Sequence, residues 1–254
     1  MEILKFNVEH NLLFFRITSD LIPFASHPVC TFPWQSEFIK SFKKLDAYIK
    51  KYKIRVSMHP DQFTLINSLD RKILSRSVAE LLYHAELLDL LGTDLTAKIQ
   101  IHVGGVYGDK EESMKRFIRR YRMLPSRIKK RLVIENDDRS YSVKDCVSVH
   151  RETGMPVVFD TLHHRCNSGG KTMLNAFSSS HATWKGKDGL PVVDYSIQDS
   201  SKKKGAHAFS IQTAHFKSFL NRTEGFDFDI MCEIKDKEKS ALKASGILRR
   251  MRLQ

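Results

Sequence analysis

The sequence predicts an α/β fold, a TIM-type (β/α) barrel lacking its first N-terminal strand, with seven strands readable. Seven short apolar runs recur along the chain: Leu12–Ile17, Ile54–Met58, Lys98–Ile101, Leu132–Ile134, Pro156–Phe159, Pro191–Val193 and Asp227–Cys232. Each leads into a residue able to hold a divalent cation or a phosphate, namely Arg16 with Ser19, His59, His102, Glu135, Asp160 with His163, Asp194 and Glu233. Stretches of helical periodicity separate the runs, as expected of parallel strands joined by outer helices. Side chains brought to one rim by the C-terminal ends of many strands are how such a barrel builds a site.

Taken in order, Glu2–Asn11 reads as a helix and Leu12–Ile17 as the first strand, followed by a loop through Pro23, His27, Pro28 and Pro33. Ser36–Lys51 carries Phe38, Phe42, Leu45 and Ile49 at helical spacing and leads into Ile54–Met58. Leu69–Leu91 places Leu74, Val78, Leu81, Leu82, Ala85, Leu88 and Leu91 on one side, with Gly92 as its stop. A strand through Ile99–Val103 follows. Glu111–Tyr121 and Pro125–Lys130 read as outer helices before Leu132–Ile134, and Ser142–Thr153 precedes Val157–Phe159. Thr172–Thr183, Phe209–Asn221 and Lys237–Met251 supply the remaining helices. A closed barrel of this type needs eight strands. Glu2–Asn11 looks like the helix that follows a first strand, so the expectation is an absent N-terminal strand, with a version that restores it more stable and more active.

The chain of 254 residues suits one barrel, and no Pro/Gly/Ser-rich linker divides it, so residues 1–254 are expected to form a single domain. With 41% hydrophobic residues it can bury a core. No apolar run approaches the length of a membrane helix, and Met1-Glu2-Ile3-Leu4-Lys5 has no signal-peptide layout, so the expected location is cytoplasmic. Cys30, Cys146, Cys166 and Cys232 are scattered and suggest neither a zinc knuckle nor a disulfide framework. A formal net charge of +13 favours polyanionic partners, nucleic acid first among them.

The rim residues carry the chemistry. Either His59 or His102 alone could be a core histidine satisfied by hydrogen bonds. Glu135, at the end of a buried strand, must be paired or bound to a cation. Asp160-Thr161-Leu162-His163 adds a carboxylate and an imidazole on one short turn, and Glu233 ends the last strand. Such groups on one rim repel unless cations sit among them, and mixed nitrogen and oxygen ligands suit manganese or zinc. Metals about 3.5–4 Å apart can clamp the attacking and leaving oxygens of a phosphodiester. No phosphate-binding loop of the GxxxxGK[ST] type appears, so no nucleotide cofactor is expected.

Among basic segments, Lys115–Arg131 reads as a solvated outer face, and Arg249, Arg250 and Arg252 as a solvated end. Lys202, Lys203 and Lys204 lie on the site side, where phosphate contact is the better reading. Phe63 beside Gln62 is a candidate wedge for distorted duplex DNA, although Phe63 could equally pack against the barrel lip.

Phe14-Phe15-Arg16-Ile17-Thr18-Ser19, Pro23-Phe24-Ala25-Ser26-His27-Pro28, His59-Pro60-Asp61-Gln62-Phe63, Ile134-Glu135-Asn136-Asp137, Phe159-Asp160-Thr161-Leu162-His163, Gly205-Ala206-His207 and Glu233-Ile234-Lys235-Asp236-Lys237-Glu238 together resemble the UV damage endonuclease family of DNA repair enzymes. The resemblance implies a TIM barrel with two or three divalent metals, manganese before zinc, and incision immediately 5′ of UV photoproducts to leave 3′-OH and 5′-phosphate ends. It implies His59, His102, Glu135, Asp160, His163, Asp194, His207 and Glu233 as metal ligands. Of these, Glu135, Glu233, His102 and His163 are expected to be catalytic. Gln62, Phe63, His27 and Lys202–Lys204 are expected at the DNA, with lesion-bearing double-stranded DNA as partner and a monomer as the default state. Two departures stand out. Val192 occupies the place of a lysine that the family modifies to a carbamate, and a first strand bearing a Tyr and an Asn is missing. The alternatives are a related barrel that cuts at abasic sites or isomerises sugars, and a catalytically impaired damaged-DNA-binding protein.

Overall fold

The computed structural model describes residues 1–252, the side chain of Arg252 excepted, so part of the basic end lies outside the described residues. All seven expected strands are present: β1 (Phe14–Ile17), β2 (Arg55–Met58), β3 (Lys98–His102), β4 (Leu132–Glu135), β5 (Val157–Asp160), β6 (Val192–Tyr195) and β7 (Asp229–Cys232). They pair in parallel in sequence order, β1 to β7. The barrel is nearly closed. Among the described residues β1 and β7 do not pair, and a cavity of about 1620 Å³ runs along that seam, lined by Phe14, Phe15, Met231 and Cys232 among others. Ion pairs span the seam: Arg16 on β1 reaches Glu233 just beyond β7, and Arg55 on β2 lies 2.7 Å from Asp229 on β7.

The helices form the outer layer: α1 (Glu2–Glu9), α2 (Trp34–Glu37), α3 (Ile39–Tyr52), α4 (Arg71–Leu90), α5 (Lys110–Met123), α6 (Ser126–Lys129), α7 (Val143–Thr153), α8 (Thr161–Cys166), α9 (Met173–His181), α10 (Thr213–Arg222) and α11 (Glu238–Arg252). Local chemistry sets their limits. The Asp70 carboxylate accepts from Lys72 N–H to start α4, and a Ser142/Asp145 capping box starts α7. Gly154, at φ +74°, ends α7 in the left-handed conformation that glycine adopts without strain.

Three expectations about helices are corrected. Ser36–Lys51 is two helices, because Phe38 leaves helical geometry while Trp34 turns inward against Phe42 and Tyr83. Phe209–Asn221 begins only at Thr213, because the carbonyls of Ala208 and Phe209 accept from Lys235 and Asp236 N–H and the chain bends at Phe209 and Ser210. The supposed short turn at Asp160–His163 opens a full helix, α8, capped by Asp160 accepting from His163 N–H at 2.6 Å.

The basic run Lys115–Arg131 is not simply a solvated face. Arg116 donates to Asn67 O and lies over the Tyr107 ring, and Arg120 donates to Ile66 O. Arg131 is 3% exposed and binds Asp89 and the carbonyls of Thr93, Asp94 and Ala97. Their charge holds loops together.

His84 on α4 is fully buried, with Nδ1 2.8 Å from Glu80 O and Nε2 3.2 Å from Ser19 Oγ. Burial pushes it down to about 4 from its ordinary 6.5. It is therefore neutral in the fold, while the unfolded chain takes up the proton first. Its contribution is complete above pH 6.5 and is lost as pH falls toward 4, a change of about 3 kcal/mol. Urea midpoints at the two ends of that window should fall more for the native chain than for His84→Gln. Equal falls would remove His84 as the source.

Candidate metal centre

Strand alternation builds the site. Val133, Val158 and Val192 form one apolar layer with Phe14 and Trp184. Because side chains repeat every second residue, the next residue on the same face of each strand is Glu135, Asp160 and Asp194, nearer the C-terminal rim. His102 ends β3, while His59 and Glu233 directly follow β2 and β7. Opposite this rim, Lys98 and Asp188 make a buried ion pair at 2.7 Å.

Three overlapping groups result: His59–His102–Glu135, Glu135–Asp160–His163 and Asp160–Asp194–Glu233, with candidate ligand atoms in each within 4.8 Å of one another. Glu135 and Asp160 each belong to two groups. Glu135 Oε2 is 3.2 Å from His59 Nε2 and 3.5 Å from His102 Nε2, and Oε1 is 2.9 Å from His163 Nδ1.

A hydrogen-bonded frame supports these carboxylates. The Gln100 amide donates to Glu135 Oε2 at 2.6 Å and to Asp194 Oδ2 at 2.5 Å. Arg16 donates to the Gln100 carbonyl oxygen at 2.9 Å, which fixes the amide's orientation, and also to Asp194 at 2.8 and 3.0 Å and to Glu233. Arg16 is thus committed to carboxylates, which corrects its reading as a phosphate holder. Ser19 is committed too, its hydroxyl oxygen 2.7 Å from His59 O and 3.2 Å from His84 Nε2. Gln100 was not among the expected site residues, although a lone amide two positions before His102 in an apolar strand was a readable signal.

The donor set fits divalent metal. His102 Nδ1 and Asp160 Oδ2 are buried without a hydrogen-bond partner. His59 Nδ1 and His207 Nδ1 lie 2.8 and 2.7 Å from backbone carbonyls, the arrangement in which imidazole donates through one nitrogen and offers the other to a metal. Four carboxylates meet one arginine here. Burial would raise Glu135, but His102, His163 and His59 hold it well below the usual carboxylate range. Burial, reinforced by neighbouring carboxylates, pushes Asp160 well above that range, and it pushes Asp194 up to about 7 despite Arg16. Unbalanced buried anions of this kind favour a bound cation.

The remaining expected residues fall around this centre. His207 is outside the three groups, with Nδ1 4.0 Å from Glu233 Oε2 and its ring 6.2 Å from that of His163. Gln62 and Phe63 are exposed on the loop after β2, with Phe63 70% exposed, so it does not pack on the lip. His27 is exposed on the loop after β1, and Lys202, Lys203 and Lys204 are exposed on the loop after β6 that carries His207. Val192 is buried in its apolar layer and offers no ligand.

A parallel barrel gathering imidazoles and carboxylates at its C-terminal strand ends defines a class: a TIM-barrel protein with a candidate metal centre. The family model of the UV-endonuclease UvdE matches residues 1–252, and the chain belongs to that family. A UV DNA damage endonuclease from Clostridium perfringens is 41% identical over 98% of this chain, which spans 61% of that relative's length. The crystal structure of SacUVDE superposes with a TM-score of 0.94 at 45% identity, covering 99% of this chain and 84% of that one. Endonuclease IV from Thermus thermophilus shares the fold, with a TM-score of 0.65 at 18% identity over 100% of this chain and 94% of that one. No helix among the described residues is long and apolar enough to cross a membrane.

Proposed function

We propose that this chain is a metal-dependent DNA repair endonuclease that incises the backbone immediately 5′ of UV photoproducts, leaving 3′-OH and 5′-phosphate ends. The observation that carries the reading is the run of three linked ligand groups, two of histidine and carboxylate and one of carboxylates alone, at one barrel mouth in a chain of this family. In this reading His59, His102, Glu135, Asp160, His163, Asp194 and Glu233 hold two or three divalent ions, manganese before zinc, with His207 completing the set. Such ions, when bound, polarise a phosphodiester and acidify water. The chain's own part is to hold the ligands: Glu135 stands between two groups, Gln100 and Arg16 fix carboxylate orientation, and buried walls limit access of bulk water. Lys202–Lys204 and His27 meet the DNA backbone, while Gln62 and Phe63 enter the distorted duplex. Residues 1–254 act as one domain, and the protein works as a monomer in the cytoplasm.

The test compares nicking of irradiated and unirradiated plasmid with manganese and after chelation. Manganese-dependent nicking confined to irradiated plasmid is expected. Equal nicking of both plasmids, or preference for an abasic duplex, would sink the reading. The apolar burial of Val192 favours one second reading, a damaged-DNA-binding protein with impaired chemistry. It is recognised by tight binding of irradiated duplex left uncut under every metal.

Phe63→Ala removes an exposed ring and should leave stability near that of the native chain. Its preference for irradiated over unirradiated duplex should fall about tenfold, the scale of one base–aromatic contact. Unchanged discrimination in competition binding would clear Phe63 of that role.

A further inference from the structure

The loop after β1 presents a second exposed aromatic residue whose backbone is strained. Ala25 N–H donates to Ile22 O at 3.2 Å, closing a turn with Pro23 and Phe24 at its centre. Phe24 has φ +59°. A positive φ at the third residue of a turn, after proline, is the setting in which glycine or asparagine is favoured, and a bulky aromatic there is an outlier. The strain brings no burial in return, because Phe24 is 71% exposed with the His27 ring as an edge neighbour at 6.5 Å. The turn itself is anchored: Ile22 N–H donates to the Tyr83 hydroxyl at 3.1 Å, and Ser26 donates to Glu80.

Position supplies the second half of the argument. Strands β1 and β2 are neighbours, so the loops after them adjoin at the mouth of the barrel. The Ser19 hydroxyl joins them directly through His59 O. Phe63 stands on the second of these loops, also exposed. Two rings held outward on adjoining loops, beside a candidate metal centre in a chain of charge +13, suit bases unstacked from a duplex.

We propose that Phe24 is a DNA-contacting residue that stacks on a base at the lesion, with its strained turn retained to hold the ring outward. This rests on the DNA-repair reading above. In the folded protein without DNA, the ring contributes little and the φ value costs stability. Function and stability are therefore expected to move in opposite directions.

The experiment measures fluorescence anisotropy of labelled irradiated and unirradiated duplexes under chelation, so that no strand is cut, together with melting temperature. Phe24→Asn and Phe24→Gly should melt no lower than the native chain and bind irradiated duplex about tenfold more weakly, while Phe24→Trp should retain binding. Native-like binding by Phe24→Asn would overturn the proposal, as would a marked fall in its melting temperature, which would mark the ring as structural. If the native chain itself does not prefer irradiated duplex, the DNA-repair reading fails and takes this proposal with it.

Discussion

Glu135→Gln is expected to abolish incision, lowering the rate on the order of a thousandfold or more, while binding of irradiated duplex is largely kept. Glu135 is shared by two of the three candidate ligand groups, and three imidazoles lie within 3.5 Å of its oxygens. The amide preserves shape and removes the anion. It also places an N–H₂ where His59 or Gln100 now finds an acceptor, so the imidazoles and the frame beneath lose their common partner. Folding should survive, because the amide keeps the carboxylate's shape and relief of repulsion from Asp160, Asp194 and Glu233 offsets part of the lost imidazole pairing. DNA affinity should survive because Phe63 and Lys202–Lys204 lie outside the ligand groups. Single-turnover nicking with manganese, alongside binding of the same duplex, measures both halves. Undiminished cutting by the purified variant would refute the role.

Arg131→Met should cost about 3 kcal/mol of stability, the lower end for breaking a buried pair, since Asp89 is partly exposed and can rehydrate. The loss comes mainly from the carbonyls of Thr93, Asp94 and Ala97, which the guanidinium satisfies together. Arg131→Lys should recover only part, because a single ammonium cannot reproduce the planar fork. Urea denaturation decides the matter; a change within about 0.5 kcal/mol, the ordinary range for surface substitutions, would return Arg131 to the solvated face.

The barrel was legible because its signals are local. Apolar runs such as Leu132–Ile134 and the helical stripe through Leu81, Ala85 and Leu88 report burial by periodicity alone, and all seven strands follow from them. The candidate ligand groups were legible for a related reason: a residue at a strand's C-terminal end must arrive at the rim, whatever the rest of the chain does, whereas His207, on a loop, lies outside those groups. Phe38 broke a helix that periodicity would have continued, because Trp34 packs against Phe42 and Tyr83. That choice belongs to packing.

By itself, then, the sequence determined the parallel α/β architecture and the chemical character of its mouth, since hydrophobic period and strand-end position are properties of each segment alone. Only the tertiary structure decided that Arg16 is spent on Asp194 and Glu233, that Gln100 braces Glu135, and that Arg131 is a buried fastener while Phe24 and Phe63 stand free. Those facts depend on which partners meet across 35 to 217 residues of chain. Electrostatic pairing and desolvation act through space, so a charge run in one dimension does not reveal which of its members a folded molecule will bury.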